Sequence, residues 1–159
     1  AIVGDMDSLS ADALKELADR LVRDDDPGRS DLEKAVAWAR AQGADEIVVV
    51  GWSGGRLDHT LAALALAFEG VALHDDRFRV TAVAGSAEFA AEPGTLFSLL
   101  ALADATVSVS GARWELVRES LAMGARGLHN EVGESGRVRV ECHSGKLLLL
   151  EGNFSALHA

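Results

Sequence analysis

The pattern of apolar residues changes at about residue 83, and this change limits the possible folds. Before it, strand-like runs alternate with helical periodicity, and residues 47–50 are apolar throughout, which is typical of a parallel strand covered on both faces. After it, short segments such as 137–142 alternate apolar and polar residues between turn signals. The pattern predicts a mainly parallel, Rossmann-like α/β domain over 1–83 and a C-terminal β-sandwich over 84–159.

Three helices are predicted in the first half of the chain. Residues 11–23 place apolar side chains on one helical face. Ser30 and Glu33 form the S-x-x-E pattern of a capping box, which predicts a second helix that runs to about Gln42. The third helix is predicted over residues 57–68, directly after a glycine-rich loop.

Charge and composition exclude several classes of protein. The net charge of −10 disfavours non-specific binding to nucleic acid or to anionic lipid. Cys142 is the single cysteine, so an intramolecular disulfide is impossible and a reducing compartment, the cytoplasm, is expected. No apolar stretch approaches the ~18 residues of a membrane span, and no signal peptide is recognisable. Residues 1–4 read as the end of a strand, which predicts a segment upstream of Ala1.

Four aspartates lie where a predicted strand ends or a predicted helix begins: Asp5, Asp7, Asp31 and Asp58. Ligands bind at the carboxyl ends of strands in open α/β sheets, so these side chains could converge on one edge. A cluster of like charges is costly unless a cation neutralises it, and carboxylate oxygens suit Mg²⁺. Each aspartate also has a simpler explanation, as a polar turn residue or as an acid that complements a helix dipole.

A glycine-rich loop adds groups that could bind phosphate. Gly54 and Gly55 let the backbone approach a ligand closely, and Arg56 can bind phosphate oxygens through its planar guanidinium. The following helix carries Asp58, which could fix a ligand hydroxyl or amine, and His59, which could be a phosphate contact, a general base or a structural residue. The loop has neither the Walker pattern nor G-x-G-x-x-G.

Taken in order, these motifs resemble those of thiamine pyrophosphokinases. The strings that carry the resemblance extend along nearly the entire chain: Gly4-Asp5-Met6-Asp7-Ser8, Ser30-Asp31, Gly54-Gly55-Arg56-Leu57-Asp58-His59-Thr60-Leu61, Ser98-Leu99-Leu100, Gly111 with Trp114, and His129-Asn130. The longest of them, from Gly54 to Leu61, is the most specific.

The resemblance implies transfer of a pyrophosphoryl group from ATP to the hydroxyl of thiamine, which gives thiamine diphosphate and AMP. It implies an α/β catalytic domain over 1–83, incomplete at its N-terminus, and a β-sandwich over 84–159 that binds thiamine and forms a homodimer. Asp5, Asp7 and Asp31 would hold Mg²⁺.

The resemblance also assigns the remaining site residues. Asp7, Asp31 and Asp58 would be catalytic. The nucleotide would be bound by Ser30, Gly55, Arg56 and His59. Thiamine would be bound by Asp58, His129 and Asn130, with Asn130 reaching the site across the dimer interface.

The chain departs from the family pattern at three positions and lacks an upstream Asp-Gly-Gly segment. Pro27 stands where Lys or Gln is expected, Ala63 where Asn is common, and His129 where Ser is usual. Two alternatives therefore stay open: a divergent relative with another acceptor, and a non-catalytic dimer that binds Mg²⁺-nucleotide or thiamine. A nucleotide-sugar transferase that uses Asp5 and Asp7 is argued against by the string over 54–61.

Overall fold

The computed structural model describes residues 1–152, in which the strands form two sheets. The smaller sheet pairs β1 (Ile2–Gly4) with β2 (Leu21–Arg23) in parallel. The larger sheet has eight strands: β3 (Val48–Val50), β4 (Ala72–His74), β5 (Phe78–Ala82), β6 (Ser86–Ala90), β7 (Leu96–Ser110), β8 (Leu116–Leu121), β9 (Asn130–Glu131) and β10 (Arg137–Gly152).

The larger sheet is mixed and mostly antiparallel, and it does not support the prediction of a mainly parallel, Rossmann-like domain. The strand order is β3-β4-β5-β10-β7-β8, with β6 paired to β10 and β9 paired to β7. Among the described strands of this sheet, only β3 and β4 are parallel. The link from β4 to β5 is the turn 75–77, in which the Asp75 carboxylate accepts hydrogen bonds from the amides of Arg77 and Phe78. Such a link is too short for a parallel crossover, which needs a dozen or more residues.

The helices are α1 (Ala11–Glu16), α2 (Asp31–Ala41) and α3 (Leu57–Ala67). The predictions for the second and third helices are confirmed, including the capping box between Ser30 and Glu33. The first helix is shorter than predicted, because the chain passes through a 3₁₀ turn and then enters β2. The pairing of Leu21 with Ile2 outweighs the local helical periodicity.

The long strands β7 and β10 connect the two halves of the chain. Residues 137–141 of β10 pair with β6, and residues 148–152 pair with β5. Leu147 and Leu149 face a core formed by the strands after residue 82, whereas Leu148 faces the core that packs α2 and α3. The all-β second half is thus continuous with the first half.

The predicted division at residue 83 stays a prediction, and residues 153–159 of the predicted second domain lie outside the described residues. The prediction that the strand over 47–50 is covered on both faces is wrong. β3 lies at one end of the sheet, and Val48 and Val50 are 47% and 76% exposed. Within residues 1–152, no helix has both the length and the apolar composition to cross a membrane.

Candidate functional site

The end of β1 and the beginning of α2 meet at Gly4. A Cβ on Gly4 would lie 2.7 Å from the Oδ1 atom of Asp31, a distance that real Cβ atoms do not adopt. Glycine is therefore required here by close approach of the Asp31 carboxylate to the backbone. This close approach brings Asp31 near Asp5, the residue that follows Gly4.

A buried lysine lies between these two carboxylates. The Nζ atom of Lys34 is 3.2 Å from Oδ1 of Asp31 and 3.9 Å from Oδ2 of Asp5. The Lys34 side chain is 3% exposed, whereas the side chains of Asp5 and Asp31 are 41% and 52% exposed. The ammonium thus approaches the carboxylates from the protein side and leaves their outer side open to solvent.

The charges and hydrogen bonds around Lys34 and Asp5 favour the charged forms of both side chains. Burial by itself lowers the pKa of Lys34, but the hydrogen bond to Asp31 and the charges of Asp31 and Asp5 raise it above its usual value. The pKa of Asp5 is lowered, first by the hydrogen bond that its Oδ1 accepts from the amide of Asp7 at 3.0 Å and further by the charge of Lys34. Asp5, Asp31 and Lys34 form what we call the acidic site.

The residues of the acidic site fit a magnesium ion. Among residues 1–152, no three His, Cys, Asp or Glu side chains are grouped closely enough to hold a metal by themselves. Mg²⁺ in nucleotide sites, however, takes one or two carboxylates and completes its octahedron with phosphate oxygens and water. Asp5 and Asp31 supply two carboxylates, which both lie near the Lys34 ammonium. Asp7 is exposed, and its predicted role as a third ligand stays a prediction.

The beginnings of α2 and α3 meet the end of β3 around a pocket of about 270 Å³. Its lining contains three of the predicted site residues, Ser30, Asp31 and His59. The other lining residues are Leu32, Val49, Val50, Gly51, Trp52 and Ala63. Because free backbone N–H groups lie at helix N-termini, the pocket suits an anionic ligand beside the acidic site.

Arg56 and Asp58 form a separate ion pair on the surface. The Nε and Nη2 atoms of Arg56 lie 3.1 and 2.6 Å from the two carboxylate oxygens of Asp58. The Arg56 hydrogen bond lowers the pKa of Asp58 to about 2, although the two side chains are 74% and 62% exposed. Of the described residues, those that line the 270 Å³ pocket do not include Arg56 or Asp58. The prediction that Asp58 joins the other aspartates stays a prediction.

The glycine loop before α3 leaves room for a ligand. Gly54 has a φ of +88°, which favours glycine. No heavy atom of residues 1–152 would lie within 4 Å of a Cβ on Gly55, so the backbone there is open to approach. The predicted contact between Gly55 and nucleotide stays a prediction.

The predicted thiamine residues of the second half lie in another place. The Asn130 side chain is buried, donates to the carbonyl of Trp114 at 2.8 Å and accepts from the amide of Trp114 at 3.2 Å. His129 has a φ of 60°, and its amide donates to the Oγ atom of Ser98. Asn130 lines a pocket of about 90 Å³ that, among the described residues, shares none with the pocket at α2 and α3.

Two side chains were not predicted as site residues. Lys34 follows Asp31 by three residues on α2, a helical spacing that could have indicated the contact. Trp114 is 50% exposed, and the Arg113 guanidinium lies 4.7 Å from its ring centroid. Asn130 hydrogen-bonds the backbone of Trp114.

A family model covers the first half of the chain. The family model for the catalytic domain of thiamin pyrophosphokinase matches residues 1–80. No curated protein matches the chain.

Solved structures of similar proteins share the fold. The thiamine pyrophosphokinase of Bacillus subtilis is 20% identical with a TM-score of 0.77, over 94% of this chain and 76% of that chain. A thiamin pyrophosphokinase family protein of Enterococcus faecalis is 20% identical with a TM-score of 0.80, over 94% and 78%. The thiamin pyrophosphokinase of Candida albicans is 14% identical with a TM-score of 0.76, over 95% and 72%. The likeness therefore extends beyond the first 80 residues into the β half.

Proposed function

The chain belongs to the thiamin pyrophosphokinase family, and from this premise we propose that it transfers a pyrophosphoryl group from ATP to the hydroxyl of thiamine. The products are thiamine diphosphate and AMP. The observation that carries the proposal is the acidic site. In it Asp5 and Asp31 share the Lys34 ammonium beside a pocket lined by Ser30 and His59.

The reaction forms one bond and breaks one. The oxygen of the thiamine hydroxyl attacks the β-phosphorus of ATP, and the bond from that phosphorus to the oxygen bridging the α- and β-phosphates breaks. AMP leaves with the bridging oxygen, and the hydroxyl proton passes to solvent. Transfers of this kind depend on in-line positioning and on neutralised charge more than on covalent chemistry.

Mg²⁺, when bound, would neutralise phosphate charge and orient the triphosphate. Asp5 and Asp31 would hold it, with Asp7 as a further ligand from the same loop. Their outer sides are open to solvent, which leaves the remaining coordination positions for phosphate oxygens and water. Asp7 and Asp31 are the residues that we expect to be indispensable for turnover.

The nucleotide would bind at the paired helix N-termini. Ser30 and His59 line the pocket there, and Gly55 lets a phosphate approach the backbone. The Arg56 guanidinium would turn from Asp58 to a phosphate, since both side chains are exposed and free to rearrange. Asp58, released in this way, would be available to thiamine.

A homodimer would complete the site. Asn130 lines a different pocket from Ser30 and His59, as expected if one copy supplies the nucleotide half and the other supplies the thiamine half. The second half of the chain carries exposed apolar side chains that an interface would cover: Trp114, Val117, Met123 and Leu128. In this proposal residues 1–83 form the catalytic part, residues 84–159 form the β-sandwich for thiamine binding and dimerisation, and the protein acts in the cytoplasm.

A direct assay tests the function. The protein is incubated with Mg²⁺, ATP and thiamine, and the products are separated by chromatography. Formation of AMP and thiamine diphosphate in equal amounts is expected, and omission of Mg²⁺ should abolish both. ADP in place of AMP, or no thiamine diphosphate, would contradict the proposal.

A further inference from the structure

Lys34 is an unusual residue in the folded chain. Within residues 1–152, it is the one charged side chain that is buried, at 3% exposure. It lies on α2, two residues before Val36, which belongs to the apolar core. A buried ammonium is costly, and a well-packed apolar side chain at such a position is often at least as stable. The charge of the buried Lys34 ammonium therefore indicates a role other than packing.

The surroundings of Lys34 are strongly acidic. Its Nζ atom contacts Asp31 and Asp5, and Asp24 adds to the negative potential. Asp24 itself is paired with Arg29 at 3.1 Å. Two carboxylates held this close repel each other unless a positive charge lies between them.

We propose that Lys34 is a positioning residue, the built-in counter-ion that holds Asp5 and Asp31 together when the metal is absent. The ammonium occupies the inner side of the carboxylates, and the metal would take the outer side of Asp5 and Asp31, whose side chains are 41% and 52% exposed. The acidic site is thereby kept assembled between turnovers, so that Mg²⁺ can arrive with each nucleotide and leave with the products. The inference rests on the proposed function for the identity of that metal.

The test measures the midpoint of thermal unfolding in EDTA and in saturating Mg²⁺. Lys34→Met keeps the length of the side chain and removes its charge. In EDTA we expect a loss of about 5 °C, since two carboxylates then lie together without a cation. Lys15→Met, at an exposed lysine of α1, is the matched control and should change the midpoint by no more than about 1 °C.

A double variant separates the charge from the packing. Adding Asp31→Asn to Lys34→Met removes one of the two repelling charges, so it should restore most of the lost midpoint in EDTA. Saturating Mg²⁺ should likewise restore the unfolding midpoint of Lys34→Met, and it should raise the midpoint of the wild type by a smaller amount. If Asp31→Asn fails to restore the midpoint, the counter-ion role is overturned.

The proposed function can fail separately. The unfolding measurements need no turnover, so an inactive wild-type protein would overturn the proposed function without touching the ion pairing. Rescue by Asp31→Asn without rescue by Mg²⁺ would leave the pairing in place and overturn the magnesium assignment.

Discussion

The beginnings of α2 and α3 each carry an aspartate paired with a basic side chain, but the two pairs differ in burial. At α2, the Lys34 ammonium is 3% exposed and lies against the protein side of Asp31. At α3, Arg56 and Asp58 are 74% and 62% exposed. A buried cation is fixed by its surroundings, whereas an exposed pair is weak and exchanges partners readily. The first pair suits a preorganised metal site, and the second suits a group that must move to meet a ligand.

The largest effect is expected from Asp31→Asn, which removes a negative charge from the proposed metal site. We expect kcat to fall by about 10³-fold, the size seen when a preorganised electrostatic contact is lost in catalysis. Asp12→Asn, in the first turn of α1, is the matched control because Asp12 lies at a helix N-terminus and is not a residue of the acidic site. Equal activity of the two variants would argue that the α2 pair has no catalytic role.

A smaller effect is expected from Gly4→Ala. The new Cβ would lie 2.7 Å from the nearest atoms of the Asp31 carboxyl group, so the carboxylate must shift from its present position. We expect kcat/KM to fall about tenfold to a hundredfold, because an atomic displacement of about 1 Å at a reacting centre has that order of effect. Gly124→Ala, where the added atom meets open space, should leave the kinetics unchanged. A Gly4 variant with wild-type kinetics would show that the Gly4 contact does not position Asp31 for catalysis.

Arg56→Met tests the exposed pair. We expect the KM for ATP to rise about tenfold, as for the loss of one charge-assisted hydrogen bond to phosphate. The unfolding midpoint should stay close to that of the wild type, since an exposed ion pair adds little stability. Steady-state kinetics at varied ATP and a thermal melt of the same preparation give both values. A large loss of stability with unchanged KM would reverse the roles that we assign to the two pairs.

The smallest effect concerns the pKa of Asp58. Its folded value of about 2 lies below the ordinary value for aspartate, about 3.9. The small contribution of this pair to stability is therefore fully present above pH ~4 and is lost as pH falls through about 2. In Arg56→Met, the pKa of Asp58 should rise toward ~3.9 in an NMR titration of the carboxyl carbons. A value that stays near 2 would mean that the guanidinium is not the cause.

Local features of the fold were predictable from sequence, whereas distant pairings were not. The capping box at Ser30 and the bounds of α3 follow from residues within one turn of each other. The strand β2 was predicted as helix, because its partner β1 lies far away along the chain. The direction of β5 depends on the short turn after His74, a constraint that periodicity does not contain.

The same division applies to the candidate site. The sequence placed Asp5 and Asp31 at the end of a strand and the beginning of a helix, and the structure brings both to one ammonium. The suggestion that Asp58 joins them stays a prediction, and in the structure its carboxylate accepts two hydrogen bonds from Arg56. Lys34 was missed because burial of a lysine depends on what packs around it.

The sequence by itself determined which chemistry is available and where each helix begins, since capping and turn hydrogen bonds act over three or four residues. It also carried the family motifs along nearly the entire chain. Only the tertiary structure decided that the sheet is mostly antiparallel and that a buried lysine binds the two carboxylates. Those outcomes depend on strand pairing and on close approach between Gly4 and Asp31, contacts between residues that are distant in the chain.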